Sequence, residues 1–256
     1  IGESKDMQKK YDSLLYLAEI AQISNNIEES EKYYKEALAI AGENDIGHVL
    51  LQLGKKYVLK GDFSKANNYF EECLKLENEN IRNYALLERG KLEYKLENIE
   101  KARFYYNQLL TTSNKNYALL ELGVLELEKG SLVKARSYFE ECINCASSKR
   151  DVNCCMLELG KLEKKLGNIQ MANYYFDSLL NEHNENSALL EKGKMEIDLG
   201  NLERAREILL PLINSDNKLY VLLELSRIEQ KLSNYDKFAV YMYTSSQEET
   251  QETDYY

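Results

Sequence analysis

Four cysteines crowd the middle of the chain: Cys142, Cys145, Cys154 and Cys155. A C-x2-C pair followed by two more thiols is a donor set that zinc can use, because four thiolates complete its tetrahedron. Two things weigh against that reading. Neighbouring cysteines on a helix point about 100° apart, which suits one ion poorly. Cys142 also fills a slot that Ala37, Cys73 and Leu109 fill elsewhere, and Cys155 fills one shared with Ala85 and Ala118. These are apolar core slots, so no metal is expected. His48 and His183 have no second histidine or cysteine nearby in sequence and read as surface residues. There is no glycine-rich phosphate loop, no Ser-His-Asp arrangement and no H-E-x-x-H.

Carboxylates recur instead of clustering. One row is Glu93, Glu126, Glu163, Glu196 and Glu229, and another is Glu88, Glu121, Glu158, Glu191 and Glu224. General acid–base work needs one pocket with a tuned acid, not a ladder of equivalent ones. The expectation is a protein with no catalytic residues, no enzymatic activity and no cofactor.

What must position these rows is a repeated element. The stretch Tyr117–Cys142, YALLELGVLELEKGSLVKARSYFEEC, reads as a helix, a short turn and a second helix. A small residue marks the middle of each first helix: Ala18, Gly54, Gly90, Gly123, Gly160, Gly193 and Ser226. Successive marks are 36, 36, 33, 37, 33 and 33 residues apart, and such a period means a solenoid rather than a single globular core. Positions are given below relative to the mark. At +12 stand Ser30, Ala66, Ala102, Ala135, Ala172, Ala205 and, out of pattern, Phe238. At +16 stand Tyr34, Phe70, Tyr106, Phe139, Phe176, Leu209 and Met242. The small residues let helices approach, and the large one fills the space between them. Gly61-Asp62, Gly130-Ser131, Gly167-Asn168 and Gly200-Asn201 form the turns, a left-handed stop followed by a cap. Glu97-Asn98 and Ser233-Asn234 keep the cap without the glycine.

The mid-helix glycine, the alanine twelve on and the aromatic four further, in register over about residues 11 to 243, resemble the tetratricopeptide repeat family. The resemblance implies an all-α fold: a right-handed superhelical solenoid of about seven stacked helix-turn-helix repeats, spanning residues 1–244, with the first and last atypical. The sequence departs from the family at +3, where the usual tyrosine appears only as Tyr57 and glutamate stands in five copies. Ten residues after three of these glutamates come Arg103, Arg136 and Arg206, which reads as an ion pair within each hairpin. Asn26 with Glu29 suits a capping box, and Pro211 is expected to kink or shorten the second helix of repeat six. The segment 245–256 carries four acidic residues and no basic one, and is expected to be disordered.

The family resemblance further implies that first helices line a concave face where an extended peptide or partner helix lies. Three rows face that way. At −6 are Tyr84, Tyr117 and Tyr220; at −2 are Glu88, Glu121, Glu158 and Glu191; at +1 are Lys91, Lys161, Lys194 and Arg227. These are the expected peptide-binding residues, with tyrosines as anchors. The competing reading stays open. Glu and Lys three apart on one helix are neighbours and stabilise it by about 0.2–0.5 kcal/mol per pair with no ligand present. A chaperone-type carboxylate clamp is not expected, since the −3 position is leucine in every copy.

Composition narrows the partner classes. The chain has 256 residues, 44% of them hydrophobic, and a net charge of −10. An acidic balance does not suit phosphate neutralisation, so nucleic acid is not expected as a partner. No apolar run is long enough for a membrane span. Five cysteines in a helical chain suggest a reducing cytoplasm rather than a secreted disulfide framework. The main expectation is a protein-interaction scaffold for a protein or peptide ligand. Two others stand beside it: a peptide-sensing regulatory segment of a larger protein, prompted by a first residue, Ile1, that is not methionine, and a homo-oligomer formed through an end repeat, repeat seven being the candidate.

Overall fold

A computed structural model describes residues 2–24, 26–42 and 45–253, with side chains from residue 6 to residue 247. The described residues form fourteen α-helices and one 3-10 segment, with no strand. They pair in chain order into seven hairpins. The first three are α1 (Gly2–Ile23) with α2 (Ile27–Ile40), α3 (Ile46–Leu59) with α4 (Phe63–Leu74), and α5 (Glu79–Lys95) with α6 (Ile99–Leu109). Then come α7 (Lys115–Glu128) with α8 (Leu132–Cys145), α9 (Lys149–Lys165) with α10 (Ile169–Asp177), and α11 (Glu185–Asp198) with α12 (Leu202–Leu209). The last is α13 (Lys218–Lys231) with α14 (Tyr235–Thr253). Two compact units divide the chain, the first ending at Asn114 and the second starting at Lys115.

Hairpins two to six close by the same device. A Cβ on Gly54 would lie 2.3 Å from Cε1 of Phe70, and one on Gly160 would lie 2.5 Å from the same atom of Phe176. The +16 ring therefore sits where the mark's side chain would be, which is why the mark must be small. The turn is set by backbone conformation: Gly130 has φ +80°, and Glu97 takes the same left-handed turn at φ +61° without a glycine. Asn26 accepts a hydrogen bond from the Glu29 backbone N–H at 3.2 Å and donates from its amide to the Glu29 carboxylate at 2.8 Å. Pro211 acts as expected: α12 stops at Leu209, and Leu210–Asn214 continue as a 3-10 segment.

Between hairpins, the second helix of one packs on the first helix of the next. In the first unit, Tyr34 and Ala37 of α2 meet Val49 and Leu53 of α3. Likewise Ala66, Phe70 and Cys73 of α4 meet Leu92 of α5. In the second unit, Ala135 and Phe139 of α8 meet Leu159 and Leu162 of α9. Ala172 and Phe176 of α10 cluster with Met195 of α11, and Ala205, Leu209 and Leu212 with Val221, Leu225 and Ile228 of α13. The junctions thus use the −1 and +2 positions of each first helix against +12, +16 and +19 of the preceding second helix.

Two sequence expectations need correction. Two of the expected arginines choose other partners: Arg136 bonds to Glu163, and Arg206 lies 3.3 Å from Glu229, each across to the following hairpin, while Glu196 is met within its own hairpin by Arg204 at 3.3 Å. The second helix presents its +13 side chain to the next first helix, so the partner lies in the next repeat. Glu163 and Glu229 thereby gain the arginines that the within-hairpin rule denied them. Over the segment from residue 245, α14 continues to Thr253. Ser245 at +19 is buried, its hydroxyl donating to the Met242 carbonyl at 2.9 Å, and no glycine or proline stops the helix. Residues 254–256 lie outside the described ones. Cys142 and Cys155 are more than core fillers: they pair as a disulfide between α8 and α9, with Cα atoms 6.8 Å apart. Cys145 is exposed, and Cys154 faces the Asn184 amide. Among the described residues, no group of three or more ligand-type side chains is arranged to hold a metal. No described helix is long and apolar enough to cross a membrane.

Candidate functional site

First helices carry the expected contact rows in both units. In the first unit, Tyr84 is exposed on α5, with Lys91 exposed two turns further along and Glu88 half-buried between them. Glu88 is bonded by Lys55 of α3 at 3.4 Å. In the second unit, Tyr117 and Glu121 are half-buried one turn apart on α7, and Tyr220 is exposed on α13. Glu158 and Lys161 pair on α9 at 2.6 Å. On α11 Glu191 takes two lysines, Lys194 of its own helix at 2.9 Å and Lys164 of α9 at 2.8 Å. Arg227 of α13 lies 3.5 Å from Glu224 and 3.8 Å from Asp198 of α11.

The ladders therefore serve two purposes. Several pairs are the within-helix neighbours that three-residue spacing demands. Others, Lys55–Glu88 and Lys164–Glu191, cross from one hairpin to the next and fix the spacing of adjacent first helices. Burial alone would raise the Glu191 carboxyl, but the hydrogen bonds and charges of Lys164 and Lys194 outweigh it and hold it below the usual range.

A cleft of about 450 Å³ opens across α7, α9 and α11. Leu127, Ile169, Met195 and Leu199 give it apolar surface. Its rim carries both signs of charge: Lys161, Lys164 and Lys165 from α9, with Glu128, Glu191 and Asp198 from its neighbours. Lys165 also donates to the Leu127 carbonyl at 2.9 Å, satisfying one of the last acceptors of α7. Of the expected site residues, Lys161 and Glu191 line this cleft. Tyr220, Lys194 and Arg227 lie on the same unit beyond its lining, and Tyr84, Glu88 and Lys91 belong to the first unit.

The residues that sequence reasoning missed are Lys164, Lys165, Met195, Asp198 and Leu199. The signal was present: adding one helical turn to the rows at −2 and +1 reaches +5, where Lys165 and Asp198 stand. A second cleft, of about 550 Å³, lies on α2 beside Lys60. Its central group is Glu31, bonded by Lys35, Lys60 and the Tyr57 hydroxyl, the last at 2.6 Å. Burial pushes the Glu31 carboxyl up, yet these three hydrogen bonds prevail and hold it at about 2.

Comparison with known families matches residues 11–79 and 87–148 to two models, each described as tetratricopeptide repeat. A comparison with curated proteins returns no match. Among solved structures, a tetratricopeptide repeat protein from Parabacteroides merdae superposes with a TM-score of 0.67 at 18% identity, covering 93% of each chain. The apo form of the quorum sensor NprR from B. thuringiensis gives 0.70 at 15% identity, over 95% of this chain and 79% of the other. A signal-transduction ATPase with a tetratricopeptide repeat sensor, from Pyrococcus horikoshii, gives 0.60 at 19% identity. That match covers 93% of this chain and 41% of the ATPase.

Proposed function

The chain belongs to the tetratricopeptide repeat family, and from that premise we propose that it is a non-catalytic scaffold whose first helices hold an extended peptide or partner helix. The observation that carries this reading is the cleft across α7, α9 and α11, where an apolar floor meets a rim of alternating charge. An apolar side chain of the ligand seats on Ile169 and Leu199. Its backbone and acidic groups are met by Lys161 and Lys164, and its donors by Glu191 and Asp198. Because Lys161, Lys164, Glu191 and Asp198 are already in ion pairs, a ligand exchanges partners there rather than satisfying bare ions. Specificity then rests on the apolar anchor and on the register of charges more than on net attraction.

The test uses the whole chain. Peptides selected from a displayed random library are titrated against the wild type and against Lys164→Glu and Leu199→Asp. Leu199 is exposed and Lys164 half-buried beside Glu191, so circular dichroism and urea unfolding check that both variants remain folded. We expect each variant to weaken the selected peptides at least ~10-fold, about 1.4 kcal/mol. Peptides that bind all three proteins equally place recognition elsewhere on the molecule.

A second reading is favoured by two of the structural relatives, a quorum sensor and an ATPase with a repeat sensor. In it the same groove belongs to a regulatory segment that reports peptide binding to an attached effector. Sequencing the reading frame on both sides of the gene segment tests it. An adjoining effector domain supports this reading, and its absence leaves the simple scaffold.

A further inference from the structure

Within each unit, the +19 position of one hairpin meets the −5 position of the next. At four of these junctions the slot holds a pair that cannot bond covalently: Ala37 with Val49, Cys73 with Ala85, Leu179 with Ala188, and Leu212 with Val221, each pair sharing one buried cluster. Between hairpins four and five both residues are cysteine. Cys142 and Cys155 are 1% and 0% exposed, and they are joined as a disulfide. The slot also suits the thiol form. The Cys142 sulfur lies 3.2 Å from the carbonyl oxygen of Asn116, the −7 residue of its own hairpin. Cys73, which faces no second cysteine, donates its thiol hydrogen to the −7 carbonyl of its hairpin, that of Gly47, at 3.8 Å. A reduced Cys142 thus has the acceptor that Cys73 uses, and the junction accommodates dithiol and disulfide alike.

Two further thiols flank this pair, one on each helix. Cys145 ends α8 one turn beyond Cys142; it is exposed, and its thiol points back to the Cys142 carbonyl at 3.4 Å. Lys115 stands within electrostatic reach of it. Glu141, bonded to Lys115 at 2.7 Å, raises the lysine's pKa most, and the Cys145 sulfur adds to the rise. Cys154 precedes Cys155 on α9; it is half-buried, and its sulfur accepts from the Asn184 amide at 3.8 Å. Thiol–disulfide exchange depends on access to the attacked sulfur, and burial closes Cys142 and Cys155 to any sulfur in solution. Exchange with solution must enter through a neighbour. Cys145 is the better placed of the two, being open to solvent and three residues from Cys142 on one helix face.

We propose that hairpins four and five form a reversible thiol–disulfide site for low-molecular-weight disulfides, with Cys145 as the entry thiol and Cys142 and Cys155 as the pair that holds the bond. The Cys145 thiolate attacks one sulfur of the small disulfide, forming a mixed disulfide and expelling one small thiolate. The Cys142 thiolate, one turn back, attacks the Cys145 sulfur of that adduct, and the second small thiolate leaves. The Cys155 thiolate then attacks the Cys142 sulfur, and Cys145 departs as a thiolate. The protons given up by Cys142 and Cys155 end on the two small thiols. Two protein thiols are oxidised, one small disulfide is reduced, and an excess of the small thiol runs the sequence backwards. The oxidised state ties α8 to α9 covalently, whereas the reduced state leaves the junction to packing alone. None of the four cysteines lines the cleft, so this inference is separate from the groove reading.

The test places the reduced full-length chain in anaerobic buffers of reduced and oxidised glutathione at set ratios. Free thiols are trapped by alkylation at timed intervals, and tandem mass spectrometry assigns each bond. The Cys142–Cys155 bond is expected to increase with the oxidised share and to open again when reduced glutathione is added. Cys145→Ser should reach the same oxidised fraction at equilibrium but at least ~10-fold more slowly, because the buried pair loses its entry. Cys154→Ser should keep the wild-type rate. Cys155→Ala takes the residue that Ala85 and Ala188 supply at the same position, so it folds, which circular dichroism verifies. It should stop at the glutathione adduct of Cys145 or at a Cys142–Cys145 bond. A Cys142–Cys155 pair that stays reduced at every ratio overturns the proposal, as does a bond that excess reduced glutathione cannot open. So does a Cys145→Ser chain that oxidises as fast as the wild type.

Discussion

At the junction of α12 with α13, Ile228 fills the +2 position and Glu229, 0% exposed, is bonded by Arg206 of the preceding helix. At the junction of α2 with α3, Lys56 fills the +2 position, 2% exposed with no hydrogen-bond partner for its Nζ among the described residues. The polar pair there is inverted as well. Glu31 comes from the second helix, and the first helix answers with the Tyr57 hydroxyl and Lys60. Both junctions pack at the same places. The comparison teaches that repeat register decides where a polar atom is tolerated, while the identity of the pair, and even its polarity, is free to differ. It also separates a junction whose charge is buried with its partner from one that buries a charge alone.

That difference can be broken most sharply at Arg206. Arg206→Met leaves Glu229 buried without its cation, and the expected loss of stability is about 3 kcal/mol by urea unfolding. Adding Glu229→Met should restore most of it, since an apolar pair of similar volume suits a buried site. A single variant that loses less than ~1 kcal/mol would show that water or another group already serves Glu229.

The α2/α3 junction should respond in the opposite direction. Lys56→Met removes an unpaired buried ammonium and is expected to stabilise by about 1–2 kcal/mol. Burial, then the nearby Lys60 charge, hold the Lys56 pKa below its ordinary value. Folding therefore favours the neutral amine, and the wild type recovers stability as pH rises from the folded pKa towards 10.5. The advantage of Lys56→Met, read as a difference in Tm, should shrink over that rise. An advantage that does not change with pH would mean the gain comes from packing alone.

The smallest effect is expected at Glu31. Glu31→Gln weakens three hydrogen bonds to a charged acceptor and should cost about 1 kcal/mol near neutral pH. The folded pKa is about 2 against an ordinary 4.5, so the contribution is full above 4.5 and is lost as pH falls towards 2. Wild type and variant should converge across that window. Curves that run parallel into acid would remove Glu31 as the source.

The fold was legible because the +12 and +16 positions repeat residue types whose sizes have to fit one another, and seven copies in phase leave one arrangement. The pairing of Glu163 with Arg136 was not, because a repeat read alone suggests partners within itself. Only stacking shows that +13 faces the following hairpin. Lys164 and Asp198 escaped for a related reason: the rows were followed only as far as +1, whereas the cleft extends to the last turn, where three helices meet.

The ring that rests on the mark in hairpins two to five bears on how such a chain can change over generations. Phe70 occupies the space that a side chain on Gly54 would need, and both lie in one hairpin. Neither can be exchanged for a bulkier residue without the other. Hairpin one shows a paired alternative, with Ala18 beneath Tyr34, and hairpin seven another, with Ser226 and Met242. A gene crossover in the loop between hairpins carries the lock intact and disturbs only one polar pair, such as Arg136 with Glu163. A crossover in the turn inside a hairpin separates the glycine from its ring and sets strangers face to face. The unit of inheritance that this packing permits is the whole hairpin, and a chain of this kind is free to lengthen, shorten or borrow in steps of about 34 residues.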